Sequence, residues 1–568
     1  WAFAFTRIYT RPVTRVTASE WIYQNVAGAI NLTIDTGQEK VQQPLAYRNG
    51  ITFSNQQPLE VGFTLSEDAE ITGVHFEHMT SLQQDYPMLS LVASVAQKGT
   101  GSGDYKAVGF IQSTLQPTSD ARGDGTTIRF DFPGQLKSGT VYTLTVDVSE
   151  PDRFARAYGS IEIQYTAGGR QKTLLLPPAA FQLSQGMDFS TAFYPTQSGV
   201  ISGISLEHIV DVQQAQGTKQ LDVLLMNNAN PPEVIATGKL VDTFLAGGDA
   251  RGETKWIAFD RPVALDSSQV YNLHLQMTGG KGALSLYNDT TAIESTWDDP
   301  LPLGMYGYNT FGYDDGIYGN ILNFEMYWDD TPSKLDRMEN ILDQTDYIFV
   351  SSNRQWGTIP RVPERYPLST RYYQALLGCP EGQDLLTCYQ NAMPGMYKSQ
   401  LGFDLVEVFQ SNPSLGSFQI NDQSAEEAFT VYDHPKVLIF KKNASYDSEA
   451  VHALLEQVDL TQAVHLTPRQ AGTIKGNLML PAAALKIQQA GGTWTQLFNP
   501  QALVNQNQTA AVVEWYLVVL LLGWMVFPMV RLALKSLPDR GFAFARLIGL
   551  LLVAFLAWWA GSLGIAYS

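Results

Sequence analysis

Two long apolar runs near the end of the chain stand apart from everything before them. Residues 510–530 carry one charged side chain, Glu514, and residues 547–566 carry none. A helix needs about 20 apolar residues to cross the roughly 30 Å hydrocarbon core of a bilayer, so each run is long enough. Tryptophans lie near the ends of both runs, as interfacial aromatic residues do. The pattern predicts a transmembrane helical hairpin over residues 510–568.

The segment between the two runs, residues 531–546, is basic. It carries Arg531, Lys535, Arg540 and Arg546 against the single acid Asp539. Short basic loops stay on the cytoplasmic side of a membrane. We therefore expect a multi-pass cell-membrane protein with loop 531–546 in the cytoplasm and residues 11–509 outside it.

Residues 1–12 read as an apolar stretch followed by basic and turn residues, without the order of charged, apolar and small residues of a signal peptide. We expect them to be the end of a preceding transmembrane helix. The chain starts at Trp1 and stops directly after the second apolar run. We therefore expect it to be part of a longer protein.

From about Val41 to Asn288, short runs of alternating apolar and polar residues are separated by Gly, Pro, Asn and Asp turns. This pattern is typical of an all-β sandwich or barrel. Strands are expected at the strings VGFTL, GVHFEH, LSLVASV, TIRFDF and YTLTVDV.

The β region repeats itself. ITGVHFEH, from Ile71, recurs as ISGISLEH, from Ile201, and DARGDGTTIRFDF, from Asp120, recurs at nearly the same spacing as DARGETKWIAFD, from Asp249. Units of this size are domains rather than solenoid repeats. We expect two tandem sandwiches, residues 41–167 and 168–290, linked near Ala167–Lys172. Both resemble the jelly-roll sandwiches of carbohydrate-binding modules; a role as structural spacers is the other interpretation.

On either side of the β region the pattern indicates alternating helices and strands, as in an α/β layer. Thr14–Val26 predicts a helix capped by Thr17 or Ser19, and Ile30, Leu32 and Ile34 then alternate as in a strand. Further helices are predicted at Ser333–Leu342, with a capping serine, at Ser369–Leu377 and at Ser448–Val458. Further strands are predicted from Asp346, from Gly402, at Phe429–Asp433 and at Val437–Phe440.

The chain is acidic, with a formal net charge of -18 and 16% charged residues. Nucleic-acid binding needs a basic surface, so we expect no nucleic-acid partner. The two cysteines, Cys379 and Cys388, lie in a segment placed outside the membrane, where a loop-closing disulfide can form. A free reduced pair is the alternative.

Several consecutive strings are unlike generic α/β sequence. They are EWIYQN at Glu20, ESTWDDPLP at Glu294, DYIFVSSNRQWGTIPRVPERYPLSTRYYQALL at Asp346, LGFDLVEVFQSNP at Leu401, FTVYDHPKVLIFKK at Phe429, GNLMLPAAALKIQQAGGTWTQLFN at Gly476 and LPDRGFAFARLIGLLLVAFLAWWAGSLG at Leu537. Together they resemble the "YYY" membrane proteins. This bacterial and archaeal group is related to dolichyl-phosphate-mannose–protein mannosyltransferases. The resemblance covers residues 14–25 and 294–568.

The resemblance implies an architecture. Residues 13–40 and 291–509 would form one extracytoplasmic α/β domain, and the two sandwiches would be an insertion in one of its loops. The string from Leu537 is similar to the start of an uncharacterised polytopic membrane module. The expected fold class is thus a multidomain membrane protein: two jelly-roll-like sandwiches inserted in an α/β domain, followed by a transmembrane hairpin.

The resemblance also implies sugar transfer from a polyprenyl-phosphate donor, the chemistry of a glycosyltransferase of GT-C type. In such proteins the catalytic acid lies in an early outer loop that this chain does not contain. We therefore assign no catalytic residue and no cofactor here, and we expect a divalent cation only in the intact protein. The alternatives are a non-catalytic envelope protein whose sandwiches bind glycans or a partner, and a transport or assembly component.

Some residues could still line the acceptor side. Glu294, Trp297, Asp298 and Asp299 combine carboxylates, which can accept sugar hydroxyls, with an indole that can stack on a ring. A capped turn around a buried tryptophan is the structural alternative.

Two further groups are candidates. Arg354, Arg361 and Arg365 could bind a lipid phosphate, or could pair with local acids such as Glu364. Asp433 and His434 could move a proton or bind a metal, although a structural turn before Pro435 is favoured.

Asp120 and Asp124 are weak candidates for a calcium site, since Ca²⁺ takes oxygen ligands. A polar hairpin turn is the favoured interpretation of this string.

Overall fold

In a computed structural model, the protein is described over residues 2–563, apart from 84, 99–103, 118–119, 178, 214–216, 297–300, 309–314, 320, 426, 466–467, 472–485 and 487–498. The chain forms two compact units, Trp1–His465 and Leu466–Ser568. The first unit is mostly β-sheet, and its sheets curve into a half-barrel and a nearly closed barrel.

The strands of the first large sheet and its surroundings lie between Ile30 and Leu176. Their bounds are β1 Ile30–Asp35, β2 Lys40–Pro44, β3 Tyr47–Arg48, β4 Ile51–Ser54, β5 Leu59–Thr64, β6 Ala69–Ser81, β7 Met88–Gln97, β8 Tyr105–Thr114, β9 Thr126–Leu136, β10 Val141–Val148, β11 Phe154–Ala167 and β12 Arg170–Leu176. The first large sheet has the order β12-β11-β6-β9-β8-β7-β10-β5. The strands expected from the strings between VGFTL and YTLTVDV are confirmed in β5, β6, β7, β9 and β10.

The next strands form the second large sheet. Their bounds are β13 Phe181–Leu183, β14 Phe189–Phe193, β15 Gly199–Asp211, β16 Lys219–Asn227, β17 Val234–Asp242, β18 Glu253–Leu265, β19 Tyr271–Gly279 and β20 Leu284–Tyr287. Their order, β13-β20-β15-β18-β17-β16-β19-β14, repeats the order of the first sheet strand for strand from β11 to β5. The sequence repeat is therefore a repeat of topology.

Apolar and polar residues alternate along these strands, and the apolar ones form a hydrophobic core for each large sheet. On β7, Leu89, Leu91, Ala93 and Val95 point inward, and each is almost completely buried. On β16, Leu221, Val223 and Leu225 do the same. A period of two places every second side chain on one face of a strand, so each sheet closes over its own core.

The boundary between the repeats differs from the sequence expectation. Ala167–Lys172 is a hairpin, not a linker: Ala167 pairs with Arg170 in the first sheet, and β12 continues to Leu176. Gly168 and Gly169 both have positive φ, +55° and +77°, as a two-residue hairpin turn requires. The chain passes to the second sheet only after Leu176.

The strand Ile30–Asp35 also differs from expectation. The sequence pattern places it in the α/β domain, but it pairs antiparallel with β15 and with β2 in the second sheet. Ile30, Leu32 and Ile34 are buried in the core of that sheet. The alternation predicted a strand correctly but contained no information about its neighbours.

The remaining strands build a smaller mixed sheet and two short two-stranded pairs. Their bounds are β21 Thr291–Ile293, β22 Asp315–Gly316, β23 Leu322–Asn323, β24 Tyr347–Val350, β25 Phe403–Phe409, β26 Ser414–Leu415, β27 Phe418–Gln419 and β28 Val437–Lys442. The mixed sheet has the order β23-β21-β24-β28-β25, with β21 parallel to both β23 and β24.

Helices cover both faces of the mixed sheet. The helices of this unit are α1 Ala2–Thr6, α2 Thr14–Asn25, α3 Pro332–Gln344, α4 Pro367–Leu377, α5 Leu385–Asn391, α6 Glu427–Thr430 and α7 Ser448–Glu456. Side chains of α2 pack with Tyr347 and Phe349 on one face. Side chains of α3, α4 and α7 pack with Ile348 and Val350 on the other.

Three local predictions need correction. Phe429–Asp433 is not a strand: its first residues end α6, and a turn follows. Thr17 and Ser19 do not cap α2, because both lie inside it, and the Ser19 hydroxyl donates to the Arg15 carbonyl at 2.7 Å. Ser333 does not cap α3, because the cap is Thr331.

The second unit contains short helices, α8 Pro468–Ala471 and Leu503–Gln506, and two long apolar helices, Gln508–Ala533 and Phe542–Ser562. Each long helix is long and apolar enough to span a membrane, and its side chains are mostly exposed. The basic segment is shorter than expected, since Arg531 and Arg546 lie on the helices. The two helices approach closely where Gly549 faces the Leu522 carbonyl. These features indicate association with a lipid bilayer.

Candidate functional site

Glu294 directly follows β21 and is buried, with 3% of its surface exposed. The Tyr373 hydroxyl on α4 donates to its carboxylate. Burial and the charge of Glu294 hold the pKa values of Tyr372 and Tyr373 well above the usual range. The structure thus places Glu294 inside the core formed by the mixed sheet and its covering helices, which together we call the mixed-sheet layer. Trp297, Asp298 and Asp299 lie outside the described residues.

The three arginines have partners within the same layer. Arg354 Nε donates to Glu427 at 3.3 Å, and Arg365 Nη2 donates to Asp329 at 3.2 Å. Arg361 Nε donates to the Gly357 carbonyl at 2.6 Å. Both carboxylate partners, Glu427 and Asp329, are distant in sequence from their arginines, and neither is the neighbouring Glu364.

Asp433 and His434 point to different neighbours. His434 is fully buried, and its Nε2 lies 3.1 Å from Asp422 Oδ2. Its ring packs against Phe429, with 6.3 Å between ring centroids. Asp433 instead lies beside Tyr9. The carboxylate in contact with His434 is therefore Asp422, which is 12 residues away and is not predicted by any local sequence pattern.

Asp120 is engaged in a turn. It accepts from the Arg122 backbone N–H at 2.9 Å and from Arg122 Nη2 at 2.7 Å. These hydrogen bonds, with the nearby charge, hold the pKa of Asp120 below its usual range. Within the described ranges, no group of three metal-ligating side chains includes Asp120 or Asp124. The polar-turn interpretation fits this geometry.

Cys379 and Cys388 form a disulfide that ties the end of α4 to α5.

In the second repeat, the turn that corresponds to Asp120–Arg122 makes an additional ion pair. Arg251 holds Asp249 as Arg122 holds Asp120, with 2.7 Å between the ions in both copies. It also pairs with Asp346, which directly precedes β24, at 2.6 Å. A bidentate guanidinium–carboxylate pair is strong and directional. Arg251 thus fastens the second sheet to the mixed-sheet layer.

Beside this pair lies an open cleft of about 1110 Å³, which we call the interlayer cleft. Strands β5, β10 and β12 of the first sheet contribute one wall, which is mainly apolar. The mixed-sheet layer contributes a second wall, which is polar and meets β12 where the Asn340 and Gln344 amides donate to its backbone carbonyls. The polar wall consists of Asn340, Asp343, Gln344, Asp346, Lys442 and Tyr446.

The polar wall is held in place by its own hydrogen bonds. Asp343 accepts from the Tyr446 hydroxyl at 2.7 Å and lies 3.1 Å from His452 Nε2. Lys442 Nζ donates to the Asp343 carbonyl at 2.7 Å and lies 4.1 Å from the centre of the Tyr446 ring. Burial lowers the pKa of Lys442 to about 8. These side chains are pre-positioned to meet a polar ligand.

Sequence reasoning missed the interlayer cleft. Its walls come from segments that lie far apart in the chain, from Val61 on β5 to Tyr446 after β28, so no local pattern contains it. The duplicated Asp-Ala-Arg-Gly string is visible in the sequence as a repeat. The pairing of its Arg251 with Asp346 is not, because that pairing depends on how the layers pack.

Metal-ligating side chains also meet near Arg251. Glu207, His208 and Asp289 each offer one ligand atom, and these atoms lie within 4.8 Å of one another. All three residues are partly buried.

No family model and no curated protein matches this chain. Among solved structures, a CocE/NonD family hydrolase from Staphylococcus aureus shares 12% identity, and the match covers 27% of this chain and 36% of the hydrolase. The TM-score is 0.15, too low for a common fold, so this likeness carries no argument. Fold and composition define the class: a β-rich protein with two apolar C-terminal helices that associate with membrane.

Proposed function

We propose that this chain is the extracytoplasmic, glycan-binding part of a glycosyltransferase-like membrane protein, and that the glycan lies in the interlayer cleft. The donor would be a polyprenyl-phosphate sugar, as the resemblance to the "YYY" proteins implies. No residue of this chain is given a catalytic role. In the same proposal the apolar helices form a membrane hairpin, the protein is multi-pass, and residues 11–509 lie outside.

The observation that carries the proposal is the contrast between the two walls of the interlayer cleft. A sugar ring has apolar C–H faces and a rim of hydroxyl groups. Val141, which is exposed, and Leu174, which is half-buried, offer an apolar surface to such faces, and the side-chain oxygens of α3 offer hydrogen-bond acceptors to the rim. The volume, about 1110 Å³, slightly exceeds the roughly 300–1,000 Å³ typical of ligand sites, which suits more than one ring.

A second location favours the alternative of a non-catalytic glycan-binding envelope protein. The outer face of strands β16 to β19 has a hollow of about 470 Å³ with Asp222, Lys239 and Gln276 on its lining. In this alternative the two large sheets are jelly-roll sandwiches, and the second one binds sugar on this face.

Oligosaccharide binding to the full chain in detergent would separate the two locations. The probes are hexose- and N-acetylhexosamine-containing oligosaccharides, measured by saturation-transfer NMR and calorimetry. Val141 is 40% exposed at the cleft, so Val141→Trp should fill the cleft while leaving the polar wall intact. We expect binding to weaken at least about tenfold, equivalent to about 1.4 kcal/mol.

Two matched variants complete the experiment. Val234→Trp changes a comparably exposed valine away from the cleft and should bind as the wild type does. Lys239→Trp fills the hollow. Loss with Lys239→Trp alone would favour the alternative, and an absence of binding to every probe at millimolar concentration would contradict both.

A further inference from the structure

We propose that Glu207, His208 and Asp289 form a divalent transition-metal site, of the kind that holds Zn²⁺. Glu207 and His208 are adjacent on β15, and Asp289 follows β20 by two residues. One imidazole nitrogen and two carboxylate oxygens are a ligand set that Zn²⁺ accepts, with water completing a tetrahedron. This inference does not depend on the proposed function.

The histidine is oriented as a metal ligand is. His208 Nδ1 lies 3.1 Å from the Gly252 carbonyl, to which it can only donate. Metal-binding histidines usually donate their second ring nitrogen to a carbonyl or carboxylate in this way. The neutral ring then presents a lone pair at Nε2, which is buried and has no hydrogen-bond partner.

The nearest group to that lone pair is another acceptor. His208 Nε2 lies 3.7 Å from Asp289 Oδ1, which is too long for a hydrogen bond. Two lone pairs facing each other need a cation or a proton between them. The other Asp289 oxygen, Oδ2, is fixed by the Ala27 N–H at 3.0 Å, so Oδ1 stays directed at the histidine.

Arg251 does not take the place of the metal. Its guanidinium is engaged by Asp249 and Asp346. Glu207 keeps a carboxylate near the site, with Oε1 3.4 Å from the Thr254 hydroxyl. Small side-chain rotations would bring three ligand atoms that are now within 4.8 Å to metal-bonding distance.

The first repeat provides a built-in comparison. His78 Nδ1 lies 2.8 Å from the Gly123 carbonyl, as His208 Nδ1 does with Gly252. Tyr158 pairs with His78 and Tyr287 pairs with His208. Two residues after each tyrosine, the first repeat has Ser160, and the second has Asp289.

Glu77, next to His78, has its Oε1 3.9 Å from His78 Nε2, but its other oxygen is already engaged. Glu77 Oε2 accepts the Ser160 backbone N–H at 3.2 Å. The first repeat therefore keeps the oriented histidine but lacks a counterpart of Asp289. The nearby Asp120, 3.9 Å from His78 Nε2, is held by Arg122. We expect this repeat to bind no metal.

Zinc binding to the full chain tests the proposal. Tag-free protein in detergent is stripped with EDTA, dialysed and titrated with Zn²⁺ by calorimetry; Co²⁺ absorption then reports the ligand set. We expect one equivalent of Zn²⁺. His208→Gln and Asp289→Ser should weaken binding at least about 100-fold, and Zn²⁺ should no longer raise the melting temperature of either variant.

The matched controls lie in the first repeat. His78→Gln and Ser160→Ala should bind one equivalent as the wild type does. Circular dichroism without metal shows whether each variant folds; Glu207→Gln, which keeps size and shape, replaces any variant that does not. Failure of the wild type to bind Zn²⁺, as expected if a proton joins His208 to Asp289, would overturn the proposal. So would unchanged binding in the folded His208 and Asp289 variants.

Discussion

Glu60 on β5 is a buried carboxylate at the junction of the two large sheets, only 4% exposed. It accepts from the Gln213 amide, and the buried Asp211–Lys219 ion pair lies nearby. Burial, with the charge of Asp211, raises the pKa of Glu60 from 4.5 to about 7. The folded protein thus prefers the neutral acid.

This shift predicts a pH-dependent effect of Glu60→Gln. A raised pKa contributes stability that is present below pH 4.5 and is lost as the pH rises through about 7. Glutamine cannot ionise, so the variant should be more stable than the wild type at pH 8, by on the order of 1–3 kcal/mol, and nearly equal to it at about pH 4, below the unfolded pKa. Thermal unfolding at both pH values measures this.

The control is the exposed Glu39, whose substitution by Gln should change neither value. A Glu60→Gln variant that is less stable at pH 8 would show that the ionised carboxylate is needed in the fold.

At the scale of one element, helix α3 shows how a start is chosen. Thr331 has extended backbone angles, and its hydroxyl accepts the Lys334 N–H at 3.2 Å. Pro332 occupies the first helical position, which suits its fixed φ and missing N–H. Ser333 lies inside the first turn and is exposed. Both hydroxyls fit a cap by composition, and only the backbone geometry distinguishes them.

The pair Thr331→Ala and Ser333→Ala tests this assignment. Loss of an N-cap costs about 1 kcal/mol, whereas an exposed substitution without such a role stays within about 0.5 kcal/mol. We therefore expect a lower unfolding temperature for Thr331→Ala only. The reverse order in differential scanning calorimetry would place the cap at Ser333.

At the scale of the whole molecule, charge and apolarity are segregated along the chain. The loop between the two apolar helices carries Lys535 and Arg540 against Asp539, and basic residues also end the first helix and begin the second. Positive charge holds such loops in the cytoplasm. The two native cysteines are joined in a disulfide, so introduced cysteines can report sidedness without background.

Two exposed serines suit this test, Ser138 in the turn after β9 and Ser536 between the apolar helices. In spheroplasts of a bacterial host, a membrane-impermeant maleimide should label Ser138→Cys directly. It should label Ser536→Cys only after permeabilisation. The opposite pattern would invert the proposed topology, and labelling of the unsubstituted chain would contradict the disulfide.

The sequence by itself determined the elements whose cause is local. Alternation with turn residues located β5, β6, β7, β9 and β10, because a pleated strand has one buried face. Self-similarity revealed the duplicated topology, because the same residues make the same turns in both copies. The length of the apolar runs revealed the two long helices, because the bilayer sets their length.

Only the tertiary structure decided which distant groups meet. The strand Ile30–Asp35 pairs with the second sheet, Asp422 contacts His434, and Asp346 forms an ion pair with Arg251. The partners in each contact are too far apart in the sequence for a periodic pattern to predict them. The interlayer cleft and the Glu207–His208–Asp289 cluster arise in the same way. Hydrophobic patterning specifies which face of an element is buried, but shape and charge complementarity between whole layers select its partner.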